Sequence, residues 1–264
     1  MKEQVAKLPV DAVLCGDAVT LIRELPDASV DMVFMDPPYG HTENGSLQQR
    51  REAVFGWSDG KGVYRDGEGA YSPLVANDGA EADEVLAAIL PEIKRVLVPG
   101  GCCCCGGGGG GPDPQFARWS LMIDQVLNFK MAVVWDKGPM GMGWHYRRSY
   151  EMVLVSQKGQ KCNWYDESHR VENVIRHIGK ILPSKDQHPT EKPIELAQHF
   201  IRLHSQPGDL ILDPFAGSGS TGVAARKEGR RFLGFEIDPK WHEAAAKRVA
   251  EAVEEPGLFV GVAI

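Results

Sequence analysis

Two short segments carry side chains suited to chemistry, and each follows an apolar run that predicts a buried strand. The first, Asp36-Pro37-Pro38-Tyr39, offers a carboxylate, a rigid backbone carbonyl and an aromatic face within four residues. The second runs from Asp213 to Gly219 and is rich in glycine. Because α/β proteins bind ligands at the carboxyl ends of their strands, both segments predict a binding or catalytic site. Taken alone, each also fits a turn that serves only packing or helix capping.

The glycines of the second segment form a known spacing. Gly217, Gly219 and Gly222 give the pattern G-x-G-x-x-G at the predicted start of a helix, and Glu236 follows Gly217 by nineteen residues. Glycine lets the backbone approach a ligand where a Cβ atom would collide, and the acid can accept hydrogen bonds from ribose hydroxyls. The spacing favours a nucleoside-bearing cofactor, and it leaves a nicotinamide or flavin enzyme open.

Strand-like and helix-like patterns alternate along the chain, which predicts a mainly parallel sheet with helices on both faces. The predicted strands are Val10–Cys15, Val30–Met35, Cys102–Cys105, Met131–Trp135, Tyr150–Ser156, Leu210–Leu212 and Phe232–Glu236. The predicted helices are Asp17–Leu25, Glu81–Leu97, Pro114–Phe129, Ile194–His204, Ser220–Glu228 and Pro239–Ala252. Two polar stretches, His41–Ala80 and Gln157–His188, fit neither pattern. We expect the first to be a mobile loop, since loops of this length are usually functional or disordered.

The composition predicts one soluble, cytoplasmic domain. The chain has 264 residues, of which 43% are hydrophobic and 25% charged, as in an ordinary globular protein. No apolar run approaches the roughly 20 residues that a membrane helix requires. The first residues lack the basic-then-apolar layout of a secretion signal.

The six cysteines do not resemble a disulfide framework, because Cys102–Cys105 are contiguous while Cys15 and Cys162 stand alone. Neighbouring side chains on a strand point to opposite faces, so a contiguous run cannot easily surround a tetrahedral metal. We therefore expect small, buried core side chains and no metal site.

The charge is unevenly distributed. The net charge is −7, but residues 137–192 carry ten basic and six acidic side chains, a balance of +4. A mixed, solvated surface would explain this balance. A locally positive face on an acidic protein is also compatible with contacts to phosphate groups.

Together, the two segments resemble the DNA N6-adenine/N4-cytosine amino-methyltransferase family. The match rests on Asp36-Pro37-Pro38-Tyr39, on the segment from Asp213 to Gly222, and on His188-Pro189-Thr190-Glu191-Lys192-Pro193. It extends from about Val13 to Ala252, and the catalytic turn precedes the cofactor turn, as in the permuted β group. The family implies a single domain with a seven-stranded, Rossmann-like sheet in which one strand is reversed, and Tyr150–Ser156 is the candidate for it.

The resemblance implies S-adenosylmethionine as the cofactor. The residues that would bind it are Asp17, Lys192, Asp213, Phe215, Gly217, Ser218, Gly219, Ser220, Thr221 and Glu236. In the family, Glu236 would hold the ribose, Asp17 would lie near the adenine ring, and Lys192 with Pro193 would close the site. Lys192 as a plain surface lysine stays open.

The resemblance also assigns the catalytic turn. Asp36 and the Pro37 carbonyl would each accept one N–H of the target amine, Pro38 would fix the turn, and Tyr39 would stack on an extruded base.

For DNA contacts the sequence favours Gly138–Arg148, within a recognition region at residues 137–188. This segment contains Trp144, His145, Tyr146, Arg147 and Arg148, which suit stacking and contacts to base edges or phosphates. The alternative is a hairpin packed on its neighbour or on a second subunit. The loop at residues 41–80 is expected to order over the substrate.

The first expectation for function is methylation of adenine in duplex DNA, since family members with Asp at the first catalytic position mostly modify adenine. N4-cytosine methylation is the close alternative, and an inactive DNA-binding regulator is a more distant one. RNA or protein-amide methylation is a lesser option. The expected partner is double-stranded DNA, with a cognate restriction endonuclease and a homodimer as open possibilities.

Overall fold

The computed structural model describes residues 9–37, 73–107, 115–139, 149–181 and 191–253. Its strands are β1 (Ala12–Cys15), β2 (Val30–Met35), β3 (Leu97–Gly107), β4 (Asn128–Asp136), β5 (Tyr150–Gln157), β6 (Val174–Ile175), β7 (Leu210–Asp213) and β8 (Arg231–Glu236). Its helices are α1 (Ala18–Ile22), α2 (Pro73–Val96), α3 (Gln115–Val126), α4 (Ile194–His204), α5 (Ser220–Lys227) and α6 (Pro239–Glu251).

All eight of these strands form one sheet, in the order β1-β8-β7-β2-β3-β5-β4-β6. Every pairing is parallel except those that β5 makes with β3 and β4, so β5 is the one reversed strand. The predicted fold class and the predicted reversed strand are confirmed. The additional strand, β6, pairs Val174 and Ile175 with the end of β4. Two residues are too few to give a periodic pattern, which is why the sequence did not predict this strand.

Helices cover both faces of the sheet, as predicted. On one face α1, α2 and α3 bury Ile22, Leu86 and Trp119 against the strands. On the other face α4, α5 and α6 contribute residues such as Phe200 and Val249. Both layers are fully apolar at their centres, so the sheet is protected from water on both sides and its strand ends carry the polar groups.

Two boundaries differ from the sequence expectation. Helix α2 begins at Pro73, so residues 73–80 are helical and the expected loop cannot extend to Ala80. Pro73 is suited to the first helical position, but the following Asn77-Asp78-Gly79 lacks the apolar spacing that would have revealed a helix. Strand β3 begins at Leu97, the last residue of the predicted helix Glu81–Leu97 and five residues before the predicted strand Cys102–Cys105.

None of the helices in the described residues combines the length and the apolar character that crossing a bilayer requires.

Candidate active site

The strand order brings four acidic residues to one edge of the sheet. Strands β1, β8, β7 and β2 are neighbours and run parallel, so their carboxyl ends lie side by side. Asp17, Glu236, Asp213 and Asp36 close or follow these strands in that order. Positions that are far apart in the chain therefore meet at one edge, and the charges of Asp36 and Glu236 both act on Asp213.

Asp213 is the most buried of these acids, with 3% of its surface exposed. Its Oδ1 accepts a hydrogen bond from the Phe215 N–H at 3.0 Å, and the Thr221 side chain also hydrogen-bonds to it. Burial, together with the nearby charges of Asp36 and Glu236, raises the pKa of Asp213 to about 7 against the opposing effect of these hydrogen bonds. Much of this carboxyl group is therefore protonated at neutral pH.

The glycine-rich turn between β7 and α5 needs two of its glycines for backbone conformation. Gly217 has a φ of 50° and Gly219 a φ of 79°, in the left-handed region that other residues rarely adopt. Gly222 differs, because a Cβ atom there would lie 2.5 Å from the Val249 side chain and 2.6 Å from Phe232. The third glycine thus serves helix packing, while the first two shape the turn.

Glu236 fastens this turn to the neighbouring strand. Its Oε2 accepts from the Gly217 N–H at 2.8 Å, and its Oε1 accepts from the Asp238 N–H at 2.9 Å. A carboxylate oxygen can accept more than one hydrogen bond, so the same group can also bind ligand hydroxyls. Within the turn, the Ser218 and Ser220 hydroxyl oxygens lie 3.0 Å apart.

Asp17 acts as the N-cap of α1. Its Oδ2 accepts from the Thr20 N–H at 2.8 Å and from the Thr20 hydroxyl at 2.7 Å. The structure thus places Asp17 at the predicted edge, in a helix-capping role that does not conflict with a role near a ligand.

Asp36, the first residue of the predicted catalytic turn, belongs to a chain of alternating charges. Lys192 Nζ lies 2.5 Å from Asp36 Oδ2 and 3.4 Å from Glu151 Oε2, and Lys137 Nζ lies 2.8 Å from Glu151 Oε1. Only 18% of the Lys192 side chain is exposed. A lysine that is largely buried and paired with two carboxylates is not a plain surface lysine, so that alternative is wrong.

The electrostatics favour the charged forms of Lys192 and Glu151. Burial alone would lower the pKa of Lys192, but the charges of Asp36 and Glu151 outweigh it and the pKa is raised. Burial alone would raise the pKa of Glu151, but Lys192 and Lys137 outweigh it and the pKa is lowered. Each group stabilises the charged form of its neighbour.

Sequence reasoning did not select Glu151 or Lys137. Glu151 depends on the direction of β5, because only a reversed strand begins at the edge where β4 and the parallel strands end. Lys137 directly follows β4, and its contact with Glu151 depends on β4 and β5 being neighbours in the sheet. A second missed contact joins Glu191 to Arg248 at 2.7 Å, and Arg248 also donates to the Ser218 carbonyl at 3.2 Å. This contact ties the segment before α4 to the glycine-rich turn.

Some predicted site residues lie outside the described residues. They are Pro38, Tyr39, Trp144, His145, Tyr146, Arg147 and Arg148, together with His188, Pro189 and Thr190 and residues 41–72. Pro37 is described and buried beside Asp36.

Comparison with known proteins identifies the family. A family model described as DNA methylase matches residues 30–247. The chain belongs to the DNA N6-adenine/N4-cytosine methyltransferase family. Its enzymes are S-adenosylmethionine-dependent, and this methyltransferase family includes both kinds of target amine.

Two curated relatives of this methyltransferase cover most of its length. The chain is 28% identical to the type II methyltransferase M.HinfI of Haemophilus influenzae, over 97% of this chain and 72% of that protein. It is 24% identical to the DNA adenine methyltransferase YhdJ of Escherichia coli, over 90% of this chain and 82% of that protein.

A solved structure supports the same assignment. TTHA0409 of Thermus thermophilus, described as a DNA modification methylase and complexed with S-adenosyl-L-methionine, is 25% identical with a TM-score of 0.65, over 92% of this chain and 95% of that one. The PvuII cytosine-N4-specific methyltransferase, at 20% identity and a TM-score of 0.66, over 89% of this chain and 85% of that one, shares the fold.

The raised pKa of Asp213 predicts a specific dependence of stability on pH. The folded pKa lies above the ordinary value of 3.8, so the stability linked to this proton is complete below that value and is lost as the pH rises to about 7. Asp213→Asn has no proton to lose. We expect the free energy of unfolding of the variant, relative to that of wild type, to increase by a few kcal/mol as the pH rises from about 4 to about 8.

Urea unfolding across this pH range measures the difference. Asp27→Asn, which changes an aspartate with 79% of its side chain exposed, is the control and should show a much smaller pH dependence. A difference between Asp213→Asn and wild type that does not vary with pH would contradict the assignment of a raised pKa.

Proposed function

We propose that this DNA methyltransferase transfers the methyl group of S-adenosylmethionine to the N6 amine of adenine in duplex DNA. The observation that carries the proposal is the position of the Asp36 carboxylate, at the end of β2 and on the same sheet edge as the glycine-rich turn and Glu236. N4-cytosine methylation is the alternative, since the same acceptors serve either amine.

The residues at this edge fit the cofactor. S-adenosylmethionine supplies an electrophilic methyl group on a positively charged sulfonium. The acidic groups Asp36, Asp213 and Glu236 make the edge suited to a cation. Glu236 has acceptor capacity for ribose hydroxyls, and the turn at Gly217 and Gly219 lets backbone N–H groups approach a ligand closely.

Asp36 is proposed to activate the amine. The lone pair of an exocyclic amine is delocalised into the base, so the nitrogen is a poor nucleophile. Asp36 accepting one N–H, and the Pro37 carbonyl accepting the other, would favour a tetrahedral nitrogen and stabilise the positive charge that develops on it. Lys192 orients the carboxylate for this contact. Tyr39 is proposed to stack on the base after it leaves the duplex.

The DNA-contacting residues are proposed from the sequence and from the flanks of their segment. The Lys137 N–H donates to the Ser149 carbonyl at 2.7 Å, so the chain leaves β4 and returns to β5 at the catalytic edge. Trp144, His145, Tyr146, Arg147 and Arg148 lie between these two points in sequence. A connection that starts and ends beside Glu151 is placed to contact the DNA that presents the base.

Adenine is preferred over cytosine because of Asp36 itself. The resemblance associates Asp at this position mostly with adenine, and the relative YhdJ is a DNA adenine methyltransferase. A cognate restriction endonuclease and a homodimer stay predictions from the resemblance, together with a cytoplasmic location.

Replacement of Asp36 tests the catalytic assignment. We expect Asp36→Ala to lower methyl transfer by roughly 10²–10⁴-fold, because the amine loses its proton acceptor. Asp36→Asn keeps the shape of the side chain, removes its charge and should also be severely impaired. Both variants should still bind S-adenosylmethionine. Digestion of methylated DNA and mass spectrometry of the nucleosides measures the rate and identifies N6-methyladenine or N4-methylcytosine.

Asp27→Ala is the matched control, since Asp27 precedes the same strand at its opposite end and is also paired with a cation, Arg95. It should retain activity. Near-wild-type methylation by both Asp36 variants would refute the catalytic role, and N4-methylcytosine as the product would favour the alternative target.

Glu236→Gln tests the cofactor site separately from the chemistry. The change weakens a charge-assisted hydrogen bond to the Gly217 N–H and removes the negative charge proposed to face the ribose. We expect the dissociation constant for S-adenosylmethionine to rise about tenfold or more. Isothermal titration calorimetry measures it, with the exposed Glu251→Gln as control. Unchanged affinity would remove Glu236 from the cofactor site.

The double variant Arg147→Ala/Arg148→Ala tests the DNA contacts. Each lost phosphate contact should reduce the slope of log affinity against log salt by about 1, so we expect a decrease of about 2. Fluorescence anisotropy with duplex DNA at several salt concentrations measures the slope. Lys94→Ala/Lys247→Ala removes the same charge from α2 and α6 and should change it little. Equal effects of the two double variants would exclude a local contact.

A further inference from the structure

The contiguous cysteines of β3 are divided between the two faces of the sheet. Cys103 and Cys105 pack among apolar side chains beneath α2 and α3. Cys102 and Cys104 point to the opposite face, beneath α4. Side chains alternate between the two faces along β3, so the four cysteines cannot all surround one metal ion. The same alternation places two of their thiols, from residues two positions apart, on one face.

His204, the last residue of α4, completes a group of three potential ligands. The candidate ligand atoms of Cys102, Cys104 and His204 all lie within 4.8 Å of one another, and all three residues are buried. The two sulfur atoms are 3.6 Å apart. Two thiolates bound to one tetrahedral zinc ion at roughly 2.3 Å each would lie roughly 3.8 Å apart.

The surroundings of His204 leave one ring nitrogen for a metal. Its Nδ1 lies 3.3 Å from the Asn163 carbonyl, and this oxygen can accept the Nδ1 proton. Histidine ligands commonly donate their second ring N–H to such an oxygen, which leaves Nε2 as the ligand atom. The Asn163 N–H in turn donates to the Gly100 carbonyl at 2.9 Å, so the segment after β5 is fixed to the start of β3.

A third sulfur lies beside His204. Cys162 Sγ is 3.9 Å from His204 Nδ1, and Cys162 is exposed where the other three residues are buried. In this position Cys162 is not part of the group of three, so it would complete the ligand set only after its exposed side chain changes conformation.

We propose that Cys102, Cys104 and His204, with Cys162 as the fourth ligand, form a structural site for a thiophilic metal ion of the zinc class. Two or three thiolates with one imidazole are a typical ligand set for tetrahedral zinc. Cys102 and Cys104 pair with Met32 and Phe34, three residues and one residue before the end of β2, and the site contains none of the residues proposed for methyl transfer. This proposal goes beyond methyl transfer and replaces the expectation that the chain has no metal site.

Metal binding has to overcome the burial of the thiols. Burial raises the pKa of Cys102 and Cys104, so both are neutral without a metal. A bound dication would displace both protons and stabilise the thiolates, and affinity should increase with pH.

Metal analysis of the untagged, full-length protein tests the proposal. Protein that is purified from zinc-supplemented cells and then dialysed should contain about one zinc ion per chain, as measured by inductively coupled plasma mass spectrometry. After zinc removal, added Co²⁺ should give a thiolate-to-cobalt charge-transfer absorption. A wild-type protein that retains no zinc and gives no such band would overturn the proposal.

The strand supplies its own matched control. Cys102→Ala/Cys104→Ala should abolish zinc retention and the cobalt band, while Cys103→Ala/Cys105→Ala removes two equally buried thiols from the other face and should keep both. Equal metal content in the two double variants, with folding verified by circular dichroism, would overturn the assignment.

The exposed Cys162→Ser variant avoids any effect on the core if the buried variant fails to fold. It should bind Co²⁺ about tenfold more weakly or worse, as loss of one ligand implies. Unchanged affinity would exclude Cys162 from the ligand set.

Discussion

The ion pair between Lys192 and Asp36 is the contact on which the proposed site depends. It joins residues 156 positions apart, one after β2 and one just before α4. A buried carboxylate without a partner costs several kcal/mol, and here Asp213 and Glu236 add like charges nearby. The edge resolves this conflict in two ways: Lys192 supplies a positive charge, and Asp213 retains a proton. Asp36 can therefore be kept as an acceptor at the centre of an acidic edge.

The glycine-rich turn shows that one spacing pattern can combine two functions. Gly217 and Gly219 adopt left-handed conformations at the carboxyl ends of the parallel strands, while Gly222 lets α5 approach Phe232 and Val249. Glu236 holds the first glycine by its N–H. The G-x-G-x-x-G pattern therefore reflects both a turn conformation and a packing requirement. Neither requirement is specific to one class of cofactor, so the pattern by itself cannot distinguish the classes.

Sequence reasoning identified acidic residues that follow predicted strands. It missed residues whose position depends on the direction of a strand or on which strands are neighbours in the sheet. Asp36, Asp213 and Glu236 follow apolar runs that mark them as edge residues. Glu151 reaches the same edge only because β5 is reversed, and Lys137, which follows β4, meets Glu151 only because β4 and β5 are neighbours. Strand β6 is too short to leave a pattern, and the separation of Cys102 from Cys103 depends on the faces that α4 and α2 cover.

Helix α4 links the proposed catalytic residues to the proposed metal site. Lys192 lies two residues before its start, and His204 is its last residue. Over eleven residues the helix spans about 16 Å, so His204 lies about that far from the end of the helix that follows Lys192. A metal ion that joins His204 to β3 would fix the carboxyl end of α4. The ion pair between Arg248 and Glu191 fixes the segment just before its amino end. A metal at the cluster would then act on catalysis only indirectly, by keeping Lys192 at the correct distance from Asp36, because none of its proposed ligands is among the residues proposed for methyl transfer.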